Sequence, residues 1–145
     1  LFLRIDGADV DTQSIEVNGF VHGVSSPRDA ASGLPTGKRQ HKPFVFTKAV
    51  DSASALLMDA LIRGSVMESV ELQMWRATPG SREEHYYTVT LSNASVSDIR
   101  TEMLNNQYPE NQQHEIREHV SLCYQRISWT HADRSTASDQ WESRG

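Results

Sequence analysis

At 145 residues, 37% hydrophobic and 23% charged, the chain has the size and composition of one globular domain and no length for a second. A net charge of −5 argues against a general nucleic-acid binder, which carries a basic excess. A single cysteine excludes a disulfide framework, and no run of roughly 18 apolar residues is present that would insert in a membrane.

Leu1, Leu3 and Ile5 alternate with Phe2 and Arg4 before the turn signal Asp6-Gly7, which predicts a first strand. Ile15 to Val24 predicts a second, with Ile15 and Val17 on one face and bulge positions at Gly19 and Gly23. From Ser25 to Lys42 the character changes. Pro27, Gly33, Pro35 and Gly37 stand among four basic residues and few large apolar ones. This loop, of about 18 residues, exceeds an ordinary connection, and loops of that length are either functional or disordered.

Pro43 to Val50 returns to strand, with Phe44 and Phe46 on one face. A helix over about 52–63 follows, with Asp51 or Ser52 placed to cap its free N–H groups. Ala53, Leu56, Leu57, Ala60 and Leu61 recur at helical spacing as one apolar stripe, and Gly64 stands where a left-handed C-terminal cap is wanted. Val70, Leu72 and Met74 alternate with Glu71, Gln73 and Trp75. The turn Thr78-Pro79-Gly80-Ser81 then leads back into Tyr87, Val89 and Leu91, a hairpin.

Strand character resumes over Val96 to Met103 after an irregularity at Asn93-Ala94, and Asn105 to Gln113 is a polar loop. Val120, Leu122 and Tyr124 form a further strand, and Ile127 and Trp129 carry a last one to about His131. Residues 132–145 are small and polar except Trp141 and read as a C-terminal tail, leaving residues 1–131 as the domain. The expected fold is mostly β, an antiparallel barrel of about eight strands flanked by one α-helix.

No catalytic or metal set emerges from the residues. His114 and His119 are five apart, about 140° on a helix and on opposite faces of a strand, so they do not reach one zinc together. Gly33 to Arg39 has three residues between its glycines where a phosphate loop needs four, and Arg39 replaces the magnesium-holding Ser or Thr. Cys123 lies on an alternating strand and reads as a small side chain inside or beneath the sheet. No cofactor is expected. Arg28, Lys38, Arg39, His41 and Lys42 concentrate positive charge in the long loop, which suits either solvent or an acidic surface on another copy of the chain.

Phe46-Thr47-Lys48-Ala49-Val50-Asp51-Ser52-Ala53-Ser54-Ala55-Leu56-Leu57-Met58 resembles the strand-to-helix passage of the haemolysin-coregulated protein (Hcp) family, the tube protein of bacterial type VI secretion. Gly37 to Pro43 resembles the end of that family's long loop, and Val70 to Arg76 with Glu84 to Val89 its central hairpin. His119 to Tyr124 with Ile127 to His131 resembles its closing strands, and Ser138-Asp139-Gln140-Trp141 is similar to a tail found on some members. The chain departs from the family pattern at Ala55, where members commonly carry proline, and at His22, where an aromatic often precedes the glycine.

The resemblance implies a subunit without enzymatic activity that closes into a homohexameric ring. Rings would stack into a hollow tube carrying small effectors, with a tip spike and a contractile sheath as partners and no nucleic acid or membrane insertion. Such a protein is cytoplasmic before firing and then secreted without a cleaved signal peptide. The same resemblance places Arg28, Asp29, Lys38, Arg39, Gln40 and Lys42 at the ring-stacking face, and makes Asp51, Ser52, Leu56, Leu57, Leu61 and Gly64 the structural helix. The competing expectation is a monomeric β-barrel that binds a small ligand.

Overall fold

The computed structural model describes residues 2–7, 10–80 and 82–142. Strand β1 (Phe2–Gly7) pairs on one side with β2 (Val10–Glu16) and on the other with β7 (Met67–Ala77). Beyond β7 lie β8 (Glu83–Glu102), β9 (Arg117–Cys123), β6 (Phe44–Ala49) and β3 (Gly19–Val21), all antiparallel. β10 (Arg126–His131) pairs with β8, and β11 (Thr136–Gln140) with β10. A separate two-stranded ribbon, β4 (Val24–Ser25) with β5 (Gln40–His41), holds the long loop.

Two features curl this sheet. β8 serves both halves: Tyr87 to Ser92 pair with β10 and Ser95 to Glu102 with β9. The change of partner falls at Asn93, whose φ of 50° is left-handed, a region that Asn tolerates better than most residues. The two ends of the sheet path, β2 and β3, are separated in sequence only by Val17 and Asn18. The Asn18 N–H donates to the Thr47 carbonyl at 2.7 Å as the chain passes between them. The chain itself therefore joins the two edges.

The interior is filled by residues of matching parity. Phe44 and Phe46, Val70 and Leu72, Val89 and Leu91, Val120 and Leu122 are each at most 3% exposed. Helix α1 (Ser54–Arg63) packs against β8 and β2 and sends Leu57 and Ala60 into the same core, while Leu56 and Leu61 flank them half-buried. Burying a leucine of this kind contributes about 1.5–3 kcal/mol. Gly64 ends the helix at φ 64°, its N–H bonding to Leu61, as the sequence suggests.

Several expectations are corrected. The two strands expected at 86–91 and 96–103 are one continuous strand, because the Asn93 kink bends the ladder without ending it. Within the expected tail, Thr136–Gln140 is an edge strand on β10, its backbone satisfied by pairing despite having no apolar alternation. The helix carries no side-chain cap at its first turn. Asp51 Oδ1 instead receives the Ala53 N–H at 2.9 Å, one step ahead of the helix. Leu1, Ser81 and the end of the tail, 143–145, lie outside the described residues.

Candidate assembly site: an arm and its root

The long loop is folded. Its ribbon β4–β5 continues as a bridge between Arg28 and Pro35, and the tip is closed by backbone bonds from Asp29 to Leu34 (2.9 Å), Gly33 to Asp29 (2.8 Å) and Thr36 to Pro27 (2.8 Å). The Asp29 carboxylate accepts the Ala31 N–H and the Ser32 hydroxyl, and these bonds hold its pKa below the usual carboxylate range. Gly33 and Gly37 take φ values of 74° and 73°, where a Cβ is strained. Arg28, Asp29, Lys38, Arg39, Gln40 and Lys42 are all exposed along this arm, and Leu34 near its tip is 64% exposed.

The root of the arm is a hydrogen-bonded cluster. Arg39 donates two bonds to Asp139, Nε to Oδ2 at 2.7 Å and Nη2 to Oδ1 at 2.9 Å. His41 Nε2 lies 2.9 Å from the same Oδ2, and His41 Nδ1 lies 3.1 Å from the Tyr124 hydroxyl. His22 Nε2 meets that hydroxyl at 2.7 Å, and the Lys42 carbonyl lies 3.1 Å from it. Trp141 packs edge-on to Tyr124 and stacks on His41.

The bonds from Arg39 hold Asp139 well below the usual carboxylate range, while burial pushes the Tyr124 phenol up. Burial, with the neighbouring His41 charge second, lowers the pKa of His22. Arg39 is thus engaged within its own chain, by a strand the sequence presents as a tail. A cleft of about 550 Å³ opens beside the root, lined by Ser92, Tyr124, Gln125, Arg126, Gln140 and Trp141.

A second polar cluster, unforeseen in the sequence, fastens the helix. Lys48 is 0% exposed and Glu118 3%. Lys48 Nζ donates to Glu118 Oε1 at 2.7 Å, to the Ala49 carbonyl at 2.9 Å and to Ser54 Oγ at 3.1 Å, with Asp51 Oδ1 at 2.9 Å. Ser54, the first helical residue, donates to Glu118 and accepts the Asp51 N–H. The signal was parity: Lys48 follows Phe44 and Phe46, and Glu118 precedes Val120 and Leu122, on the inward face.

His119 shares β9 but faces outward, with Nδ1 3.3 Å from Thr47 Oγ1 and Nε2 buried without a hydrogen bond. Cys123 lies on the same outer parity and is half-buried. Among the described residues, no three His, Cys, Asp or Glu side chains converge as a metal set, and no helix is long and apolar enough to cross a membrane.

A curled, self-joined β-sheet with one packed helix and a pinned, exposed arm defines a β-barrel protein whose distinctive part is a projecting surface. Residues 5–131 match the family model described as "Type VI secretion system effector, Hcp". The chain is 45% identical over 130 residues to the "Major exported protein" of Pseudomonas aeruginosa, covering 89% of this chain and 76% of that one. It superposes on a crystal structure of an Hcp protein with a TM-score of 0.89 at 28% identity, over 97% and 96% of the two chains. Hcp1 of an Escherichia coli pathovar gives 0.81 at 30% identity, over 97% of each chain. Hcp3 of Pseudomonas aeruginosa gives 0.76 at 29%, over 98% and 97%. The chain belongs to the Hcp family of the type VI secretion system.

Proposed function

We propose that this chain is a structural subunit, without enzymatic activity, that closes into a homohexameric ring. The rings stack into a hollow tube that is expelled from the cell with small effectors in its lumen. A tip spike and a contractile sheath are the other partners of that assembly. The observation that carries the reading is the arm, an exposed and internally bonded projection anchored to the barrel end, joined to membership of the Hcp family. A loop closed by its own backbone bonds has less entropy to lose on docking than an open one, so contacts repeated around a ring act together.

The sheet edges support self-association as well. Among the described residues β3 is paired on one side only, and Phe20, Val21 and Val24 along it and just beyond are 39%, 74% and 37% exposed. Bare apolar edges of this kind are aggregation hazards in monomers and are covered in assemblies. The monomeric ligand-binding alternative is disfavoured because Phe44, Phe46, Leu57, Met67 and Leu122, all at most 1% exposed, fill the interior.

Light scattering on purified protein, with negative-stain microscopy, tests the proposal. Six times the protomer mass and ring-shaped particles are expected. A monomer at every micromolar concentration would overturn it.

A further inference from the structure

The arm leaves one end of the β6–β9–β8 layer, and an open apolar recess lies at the other end. Strand register fixes this placement. At the root, Lys42 precedes β6 and Tyr124 follows β9, where Phe44 pairs with Leu122. At the far end Ala49 pairs with Arg117, and Arg117 with Glu102. Val50, Ile116 and Met103 stand just beyond those three residues, 50%, 45% and 61% exposed. With Leu104, Gln112 and His114 they line a cleft of about 470 Å³, and a second cleft of about 320 Å³ shares His114 and Ile116 with it. We infer that this recess receives the arm tip of a second copy of the chain, Leu34 entering the apolar floor and the arm's cations meeting the carboxylates around it. The inference rests on the reading of the arm as the stacking element and names the surface it stacks on.

The two surfaces match in apolar content and in charge. Leu34 is the large apolar side chain near the arm tip, and it is open to solvent. From Val24 to Lys42 the arm carries Arg28, Lys38, Arg39 and Lys42 against the single carboxylate of Asp29. From Glu102 to Arg117 the balance is reversed, with Glu102, Glu110 and Glu115 against Arg117. Arg39 is engaged by Asp139, and Glu102 faces Arg117 at 3.6 Å. The pairs offered to a neighbour are therefore Arg28 and Lys38 with Glu110 and Glu115, all four exposed. Charges of this kind set partner and register more than affinity, which falls to the apolar seat.

The receptor is ordered before anything docks. Pro109–Asn111 forms a short 3-10 turn, and Asn111 Nδ2 donates to the Asn105 carbonyl at 3.0 Å. The Gln107 N–H donates to Asn105 Oδ1 at 3.0 Å, and the Val50 N–H to the Ile116 carbonyl at 3.2 Å. Docking has less chain to order here than between two open loops.

The arm is not seated in the recess of its own chain, because residues 28–40 are exposed throughout. Val24 to Gly33 reaches at most about 30 Å, enough to enter a neighbour placed end to end. Arm and recess are different surfaces of one chain, so the contact is heterologous and repeats from copy to copy in one direction.

Crosslinking and charge reversal test the contact. In a Cys123→Ser background, Leu34→Cys and Ile116→Cys are placed on separate chains, one of them tagged, and co-expressed. A short bismaleimide should join them into a mixed dimer on a denaturing gel. The yield should exceed by roughly tenfold that of Leu34→Cys with Ile62→Cys, which lies on the exposed helix face. Separately, Glu110→Lys with Glu115→Lys should keep rings at wild-type mass and shorten tubes roughly threefold or more. Adding Arg28→Glu and Lys38→Glu to that variant should restore most of the length.

A Leu34–Ile116 link no stronger than the control would overturn the inference. So would tubes that shorten on reversal of the arm charges but not of the recess charges; the arm would then stack on another surface, and the stacking reading would stand. A link that forms fully within isolated rings would keep the pairing of arm with recess and refute the stacking reading.

Discussion

Replacing Lys48 by Met asks how much the buried polar cluster contributes. The ammonium occupies a site with no solvent exposure and serves Glu118, Asp51, Ser54 and the Ala49 carbonyl at 2.7–3.1 Å. Methionine fills similar volume but leaves the Glu118 carboxylate, 3% exposed, with Ser54 as its remaining hydrogen-bond partner. Asp51, 38% exposed, can rehydrate and contributes little to the loss. Breaking a buried pair from one side costs about 3–5 kcal/mol, because an uncompensated charge stays behind. For a domain of this size that is a fall in Tm on the order of 10 °C.

The double variant Lys48→Met with Glu118→Leu removes both charges and should recover most of the loss, leaving a coupling of roughly 2–3 kcal/mol. Urea and thermal unfolding followed by circular dichroism, at one fixed protomer concentration, measure all four corners of the cycle. A loss below about 1 kcal/mol for Lys48→Met would refute the reasoning. So would a double variant as unstable as the sum of the singles, since the cost would then be lost packing and not stranded charge.

Leu57→Asp puts an unpaired carboxylate where no side-chain surface is exposed, and should cost several kcal/mol by urea midpoint; retained stability would show the helix to be peripheral. Arg28→Glu with Lys38→Glu should leave rings at wild-type mass by light scattering but shorten tubes under the microscope. Rings that fall apart would assign the arm to the lateral contact instead. Stability should also depend on pH in two windows. His22 has a lowered folded pKa, so the unfolded chain binds more protons below about 6.5, and stability is lost as pH falls through that value towards the folded one. Asp139 is also lowered, so its contribution is present above the ordinary carboxylate range and lost as pH falls below it. Urea midpoints across pH should show both losses, and His22→Gln should flatten only the first.

Much of the barrel was legible in the chain because its signals are local. Alternation at Phe44-Phe46, Val70-Leu72-Met74 and Val120-Leu122 names inward faces from neighbours two residues apart, and the stripe through Leu57 and Ala60 does so at helical spacing. The irregularity at Asn93 was visible for the same reason, and the structure turns it into the kink that lets β8 serve two partners. The exposed, Gly- and Pro-marked arm was legible as a long loop, though not its internal bonding.

Only the tertiary structure decided the rest. Thr136 to Gln140 has no apolar period, and it is a strand because β10 offers an unpaired edge. Arg39 with Asp139, and Lys48 with Glu118, stand 100 and 70 residues apart, so neither partner marks the other along the chain. Closure of the sheet depends on which strands lie at its ends, and β2 and β3 look like any consecutive pair until the order β2-β1-β7-β8-β9-β6-β3 is known. Periodicity reports the face a side chain takes relative to its own backbone. Which distant group meets it there is set by register between strands, and register exists only once the whole sheet has formed.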